Sequence, residues 1–258
     1  IASELGDTFK KIKNHLVTGN RVIFCGTPCQ VAGLRAFIGN MDENLLLIDL
    51  ICHGVGSPVV FEECVKLTGK QLGIMPIKYG FREKPQGVFI TRYLSSISDD
   101  KKTYYVVKDQ YNQLFLEQTC IRPCCGSNCI YRDENRQGDF TIADFNGSVD
   151  PKLSRESSKN KSCIISNTKK ALDLLPYIIK NMKVEELPIE DVKKYNPLFY
   201  KQTWFSSDRD SFFNEFCDDK KNLDKWVTDA QICKISIKRR IYNALPYFIK
   251  MIIKKVHK

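Results

Sequence analysis

Twice within the first sixty residues a short apolar run ends at a turn and gives way to a helix opened by proline, and each junction carries a cysteine. Residues 21–26, RVIFCG, have the profile of a buried strand, and Thr27-Pro28-Cys29 leads into QVAGLRAFI with proline near the helix start. Residues 45–52, LLLIDLIC, repeat the arrangement: His53-Gly54 follows, then Ser57 as N-cap and Pro58 at the first helical position of VVFEECVKLTG. Strand–helix–strand–helix in this order predicts parallel pairing with right-handed crossovers. Residues 77–107 then alternate aromatic and β-branched side chains around turns at Lys84-Pro85-Gln86-Gly87 and Asp99-Asp100, the pattern of an antiparallel hairpin or meander. Further strands are expected at 139–145 and 162–167, and helices at 170–182, 189–195 and 208–221. The fold class is α/β: a mixed sheet, parallel strand–helix units followed by antiparallel strands, with helices on both faces. Residues 1–225 read as one catalytic domain and 226–258 as a basic, helical C-terminal tail.

The chain holds eleven cysteines in 258 residues. No charged-then-apolar secretion signal opens it, and no apolar run approaches the ~20 residues of a membrane-spanning helix, so a cytoplasmic location is expected. The first residue is Ile1, which suits a fragment or an excised domain. In a reducing compartment such a density of thiols points to metal binding or redox chemistry before disulfides. Cys29 and Cys52 fall at the carboxyl ends of the two parallel strands, the edge where ligand sites of open α/β sheets form. Neighbouring strands lie ~4.8 Å apart, close enough for both thiolates to share one centre, and helix N-termini favour the thiolate. Two further ligands are available in Cys120-Ile-Arg-Pro-Cys124-Cys125-Gly-Ser-Asn-Cys129: Cys129 together with Cys125 or Cys124. Four thiolates suit an iron–sulfur cluster or a tetrahedral zinc, and spacing alone does not choose between them. Cys25, Cys64, Cys163, Cys217 and Cys233 read as small buried hydrophobes.

The net charge of +10 is concentrated at one end. Eight Lys and Arg and no acid lie between Ile232 and Lys258, which leaves only +2 for the rest of the chain. A nucleic-acid partner is therefore not expected. The tail sets Ile241, Leu245, Phe248, Ile249, Ile252 and Val256 among lysines, a pattern that suits weak contact with an anionic membrane surface or a solvated terminal helix, interrupted by Pro246. No Gly-x-Gly-x-x-Gly follows a strand, so the usual dinucleotide-binding turn is absent.

The strings GDTFKKIK, FCGTPCQVAGLR, LIDLICHGVGSP, FREK, IRPCC followed by Cys129, and DFTIADFNG occur in this order. Together they resemble the beta-subunit family of coenzyme F420 hydrogenase and dehydrogenase, from about residue 5 to about residue 213. The resemblance implies an iron–sulfur flavoprotein that passes electrons between a 4Fe-4S cluster, FAD and a second redox partner or small-molecule substrate. It also implies a ferredoxin-type electron donor or N-terminal ferredoxin domain and, in some members, a setting among polysaccharide-synthesis genes. Carried over by position, Cys29, Cys52, Cys125 and Cys129 would be the cluster ligands, with Gly26 and Thr27 near cluster and flavin. Arg82 and Lys84 would meet a flavin phosphate or an acidic substrate, and Asp144 a flavin ring nitrogen or ribose. His53, next to a ligand cysteine, reads either as a donor to a cluster sulfur or proton relay, or as an ordinary surface histidine. The alternative is a zinc-stabilised, non-redox module of surface polysaccharide biosynthesis.

Overall fold

The computed structural model describes residues 3–41, 43–83, 94–126, 129–145, 162–201, 205–218 and 220–233. Along the chain these form α1 (Thr8–Val17), β1 (Val22–Gly26), α2 (Pro28–Ile38), β2 (Leu45–Leu50), α3 (Pro58–Leu72), β3 (Lys78–Glu83), β4 (Leu94–Ser98), β5 (Thr103–Lys108), α4 (Gln110–Leu116), β6 (Phe140–Asp144), β7 (Ser162–Ser166), α5 (Lys169–Ile179), α6 (Ile189–Tyr195), α7 (Arg209–Asp218) and β8 (Gln231–Ile232). They group into two compact units, one built from Ile1–Val55 with Ile121–Phe205, the other from Gly56–Cys120 with Ser206–Lys258. Among the described residues no helix is long and apolar enough to cross a membrane.

The first unit carries a four-stranded sheet in the order β1-β2-β6-β7. β1 and β2 pair in parallel, Val22 opposite Leu45 through Gly26 opposite Asp49, as the doubled strand–helix pattern predicts. β6 continues the parallel run and β7 closes it antiparallel, so this sheet is mixed. Its core forms where the helical and strand periods meet. Ile12 and Leu16 of α1 are four residues apart, Val31, Leu34 and Ile38 of α2 share one face, and Leu45 and Leu47 alternate inward along β2. Each such side chain contributes roughly 1.5–3 kcal/mol by leaving water. The same alternation puts Asp49 inward in an otherwise apolar strand, wholly buried.

The antiparallel strands do not extend that sheet. They form a second one in the other unit, in the order β3-β4-β5-β8. The expected turn at Asp99-Asp100 is present: the Asp99 carboxylate accepts the N–H groups of Lys101 (2.8 Å) and Lys102 (2.6 Å). The turn expected at Lys84–Gly87 lies outside the described residues. β8 falls within the stretch read as the start of a helical tail. Two residues carry no alternation to read, and it is the pairing of Ile232 with Val106 that makes them a strand. The remainder of the tail, from residue 234, lies outside the described residues. The core of this unit gathers Val60, Cys64, Tyr111, Leu114, Cys120, Phe212, Phe216 and Leu223. Burial pushes the Cys120 thiol up to about 11, so it packs here as a neutral hydrophobe. Of the cysteines expected to be buried, Cys64 is; Cys163 and Cys233 are half-buried, and Cys25 and Cys217 are exposed.

Asp109 caps α4, its carboxylate accepting the Asn112 N–H at 2.9 Å. It is 3% exposed, and burial raises its pKa although backbone N–H groups and the Tyr79 hydroxyl work against the rise. A carboxyl whose pKa is raised by folding stabilises the fold only while protonated, so that contribution is present in acid and lost as pH rises through the folded value. Asp109→Asn keeps a capping oxygen and removes the buried charge. The variant is expected to match or exceed the parent's stability at neutral pH and to lose this pH dependence, as urea midpoints in acid and at neutrality would report.

Candidate functional site

The site is assembled from the ends of two parallel strands and one cysteine-rich loop. After Gly26, the last residue of β1 and itself buried, Thr27 turns extended and Pro28 starts α2. Cys29 is then the second residue of that helix. The Gln30 side chain reaches back to accept the Thr27 N–H at 3.0 Å, and the Thr27 hydroxyl lies 3.2 Å from the Cys29 sulfur. On the next strand, the Ile51 N–H donates to Ile142 at 3.1 Å before the chain leaves the sheet, so Cys52 emerges at the same edge.

The loop reaches this edge through backbone bonds. The Arg122 N–H donates to Val55 at 2.8 Å, and Pro123–Cys125 forms a single 3-10 turn held by the Cys125 N–H on Arg122 at 2.9 Å. Gly54 makes the approach possible. Its φ of +122° is a conformation that suits glycine, and a Cβ there would lie 3.2 Å from that of Cys125. Gly54→Ala is accordingly expected to cost about 1–3 kcal/mol, read as a lowered unfolding midpoint.

One cavity, of about 40 Å³, results. Cys29, Cys52, Cys125 and Cys129 all line it, together with Thr27, Pro28, Gly54, Val55, Tyr131, Arg132, Arg136 and Leu198. Of the adjacent pair, Cys125 faces the cavity, and Cys124 is exposed and outside its lining. Burial raises the pKa of Cys52, and the charges of Cys29 and Cys129 add to the rise; the Gly54 N–H and the Arg132 charge oppose it. Burial likewise raises Cys125, with Cys124 and Cys52 adding to it and the Val55 N–H opposing it. These thiols therefore favour the neutral form until a cation is coordinated, which deprotonates a ligating thiol outright. Among the described residues, no group of three cysteine, histidine, aspartate or glutamate side chains stands close enough to hold a single metal ion.

The frame behind the cavity is a buried ion pair that local patterns do not announce. Asp49 accepts from Arg136 (2.8 Å), the Thr141 hydroxyl (2.7 Å) and the backbone N–H groups of Gln137 (3.0 Å) and Gly138 (2.8 Å). Arg136 also donates to the carbonyls of Leu50 (2.9 Å) and Tyr131 (3.3 Å). One guanidinium thus ties the end of β2, the loop after Cys129 and β6 together. Gly138 must be glycine for this, because a Cβ would lie 2.7 Å from the Asp49 nitrogen and 2.6 Å from the Phe140 oxygen. The signal in the sequence was the single aspartate in LLLIDL; nothing in YRDENRQG singled out Arg132 or Arg136.

Asp144 and Arg82 do not line the cavity. Asp144 is at the exposed end of β6, in register with Ser162. Arg82 is exposed on β3 of the second unit, at the irregularity between Gly80 and Glu83, with φ of +56°. Lys84 lies outside the described residues. His53 offers its backbone carbonyl to Arg132.

Fold and site together define an α/β protein with a four-cysteine pocket at the carboxyl ends of the parallel strands of a mixed sheet. The profile of a family described as the C terminus of the coenzyme F420 hydrogenase/dehydrogenase beta subunit matches residues 19–192. The chain belongs to this family, one of hydrogenase/dehydrogenase-like oxidoreductase subunits. A comparison with curated proteins finds no match.

Proposed function

We propose that the chain is an iron–sulfur flavoprotein oxidoreductase acting in the cytoplasm. In this reading Cys29, Cys52, Cys125 and Cys129 hold a 4Fe-4S cluster, and electrons pass between it, FAD and a small-molecule substrate or redox partner. The observation that carries it is the meeting of four sulfurs, from three separate stretches of the chain, on one small cavity. An all-thiolate donor set suits iron–sulfur clusters and zinc over harder cations. The cluster is preferred to a lone zinc on the family resemblance: a tetrahedral ion needs every sulfur about 2.3 Å from one point, whereas a cluster of four irons gives each cysteine its own metal.

When bound, such a cluster supplies one-electron transfer, and FAD supplies the step between one-electron and hydride chemistry. The chain's own part is to hold and tune. The α2 N-terminus and the Gly54 and Val55 N–H groups stabilise anionic sulfur, and Pro28, Val55, Tyr131 and Leu198 limit water at the pocket. Arg82, Lys84 and Asp144 are proposed for the flavin on the family resemblance alone. A ferredoxin-type protein or domain is the proposed electron donor on the same ground.

Anaerobic reconstitution with iron, sulfide and FAD tests the reading. About four irons and four sulfides per chain, with a cluster absorbance bleached by dithionite, are expected. Stoichiometric zinc with no iron uptake would overturn it.

A further inference from the structure

Arg132 belongs to the pocket without belonging to the sulfur set. It is 5% exposed and lines the same cavity as the four cysteines. One terminal nitrogen donates to the carbonyl of His53, which lies between Cys52 and Gly54, and its backbone N–H donates to the Cys129 carbonyl at 3.4 Å. The residue is thereby tied to the strand-end segment through its guanidinium and to the cysteine loop through its backbone. The same nitrogen would lie 3.5 Å from a Cβ at Gly54, so glycine there also leaves it room.

Burying a guanidinium is costly unless negative charge stands nearby. For Arg132 desolvation pulls the pKa down, and the charges that push it back up are those of Cys129, Cys52 and Cys125. Arg132 lines the same cavity as the sulfurs, so its positive field falls on them. A redox centre held by four thiolates would become more negative by one charge with each electron it accepted. The net charge and hydrogen bonding at such a centre are what set its potential.

Resting on the cluster reading above, we propose that Arg132 is a positioning and charge-compensating residue that makes the centre easier to reduce. It touches the cysteine segments and acts through its permanent positive charge. It neither ligates a metal nor transfers a proton.

The test compares the parent chain, Arg132→Gln and Arg132→Lys, each reconstituted anaerobically with iron and sulfide. Iron content is measured first and the midpoint potential is then measured by dithionite titration. Arg132→Gln is expected to keep its iron and to show at least a tenfold lower ratio of reduced to oxidised centre at a fixed potential. That is a midpoint about 59 mV more negative for one electron. Arg132→Lys, which keeps the charge, is expected to stay near the parent. Failure of the Gln variant to load while the Lys variant loads would also support a requirement for charge. An unmoved midpoint in an iron-loaded Arg132→Gln protein would overturn the proposal and leave the cluster reading standing. Loss of iron in both variants would overturn it too, by making Arg132 a structural prop. A parent chain that takes up no iron would remove the cluster reading and this proposal together.

Discussion

Replacing Arg136 by alanine is expected to lower stability by about 3–5 kcal/mol, the usual consequence of removing one partner from a buried ion pair. The pair is 1% and 0% exposed at the two side chains, so the Asp49 carboxylate would be left deep in the protein without its counter-charge. Three further donors, Thr141 and the N–H groups of Gln137 and Gly138, would still reach it, but none carries charge. Arg136 also supplies bonds to Leu50, Tyr131 and Thr141, and losing them would loosen the segments that carry Cys52 and Cys129. The double variant Asp49→Leu with Arg136→Leu removes both charges, and its loss is expected to be smaller than the sum of the two single losses. Urea unfolding of the four proteins measures that coupling directly. Additive losses would mean that the pair is not acting as a unit. Destabilisation of Arg136→Ala by less than about 1 kcal/mol would mean that the site is reached by solvent.

Cys52→Ser is expected to abolish cluster loading in reconstitution, with iron falling from about four to below one per chain. Serine is close in size, though more polar, and removes the soft donor, so folding should survive and far-ultraviolet circular dichroism should be unchanged. The same loss is expected for Cys125→Ser. Cys124→Ser, which alters the exposed neighbour outside the cavity, should leave iron content at the parent value. The contrast between adjacent residues matters because a general effect of removing any thiol would move both. Full loading of Cys52→Ser, or loss of loading only in Cys124→Ser, would refute the assignment of the ligands.

The parts of the fold legible in the sequence were those written by local rules. The apolar runs at Val22–Gly26 and Leu45–Leu50, each followed by a proline-opened helix, announce parallel strands because periodicity and caps act within a few residues. The α4 helix was not legible, because seven residues carry too little periodic signal and its start depends on the buried cap Asp109. The separation of the strands into two sheets was equally hidden, since alternation states which face of a strand is buried but not which strand it pairs with.

The candidate site divides in the same way. Residue types and short spacings marked Cys29, Cys52 and Cys129 and left Cys124 and Cys125 open, because a loop's sequence does not say which of two adjacent side chains turns inward. Tertiary structure brings Cys125 to the cavity and sets Arg132 and Arg136 beside it, from a stretch of ordinary charged residues. By itself the sequence determined the sheet edge and the thiols set along it, both carried by neighbours in the chain. Folding alone decided which cysteines meet and which charged residues stand beside them, because the bonds of Asp49 that frame the cavity close across 87 and 89 residues and depend on what the rest of the core excludes from water.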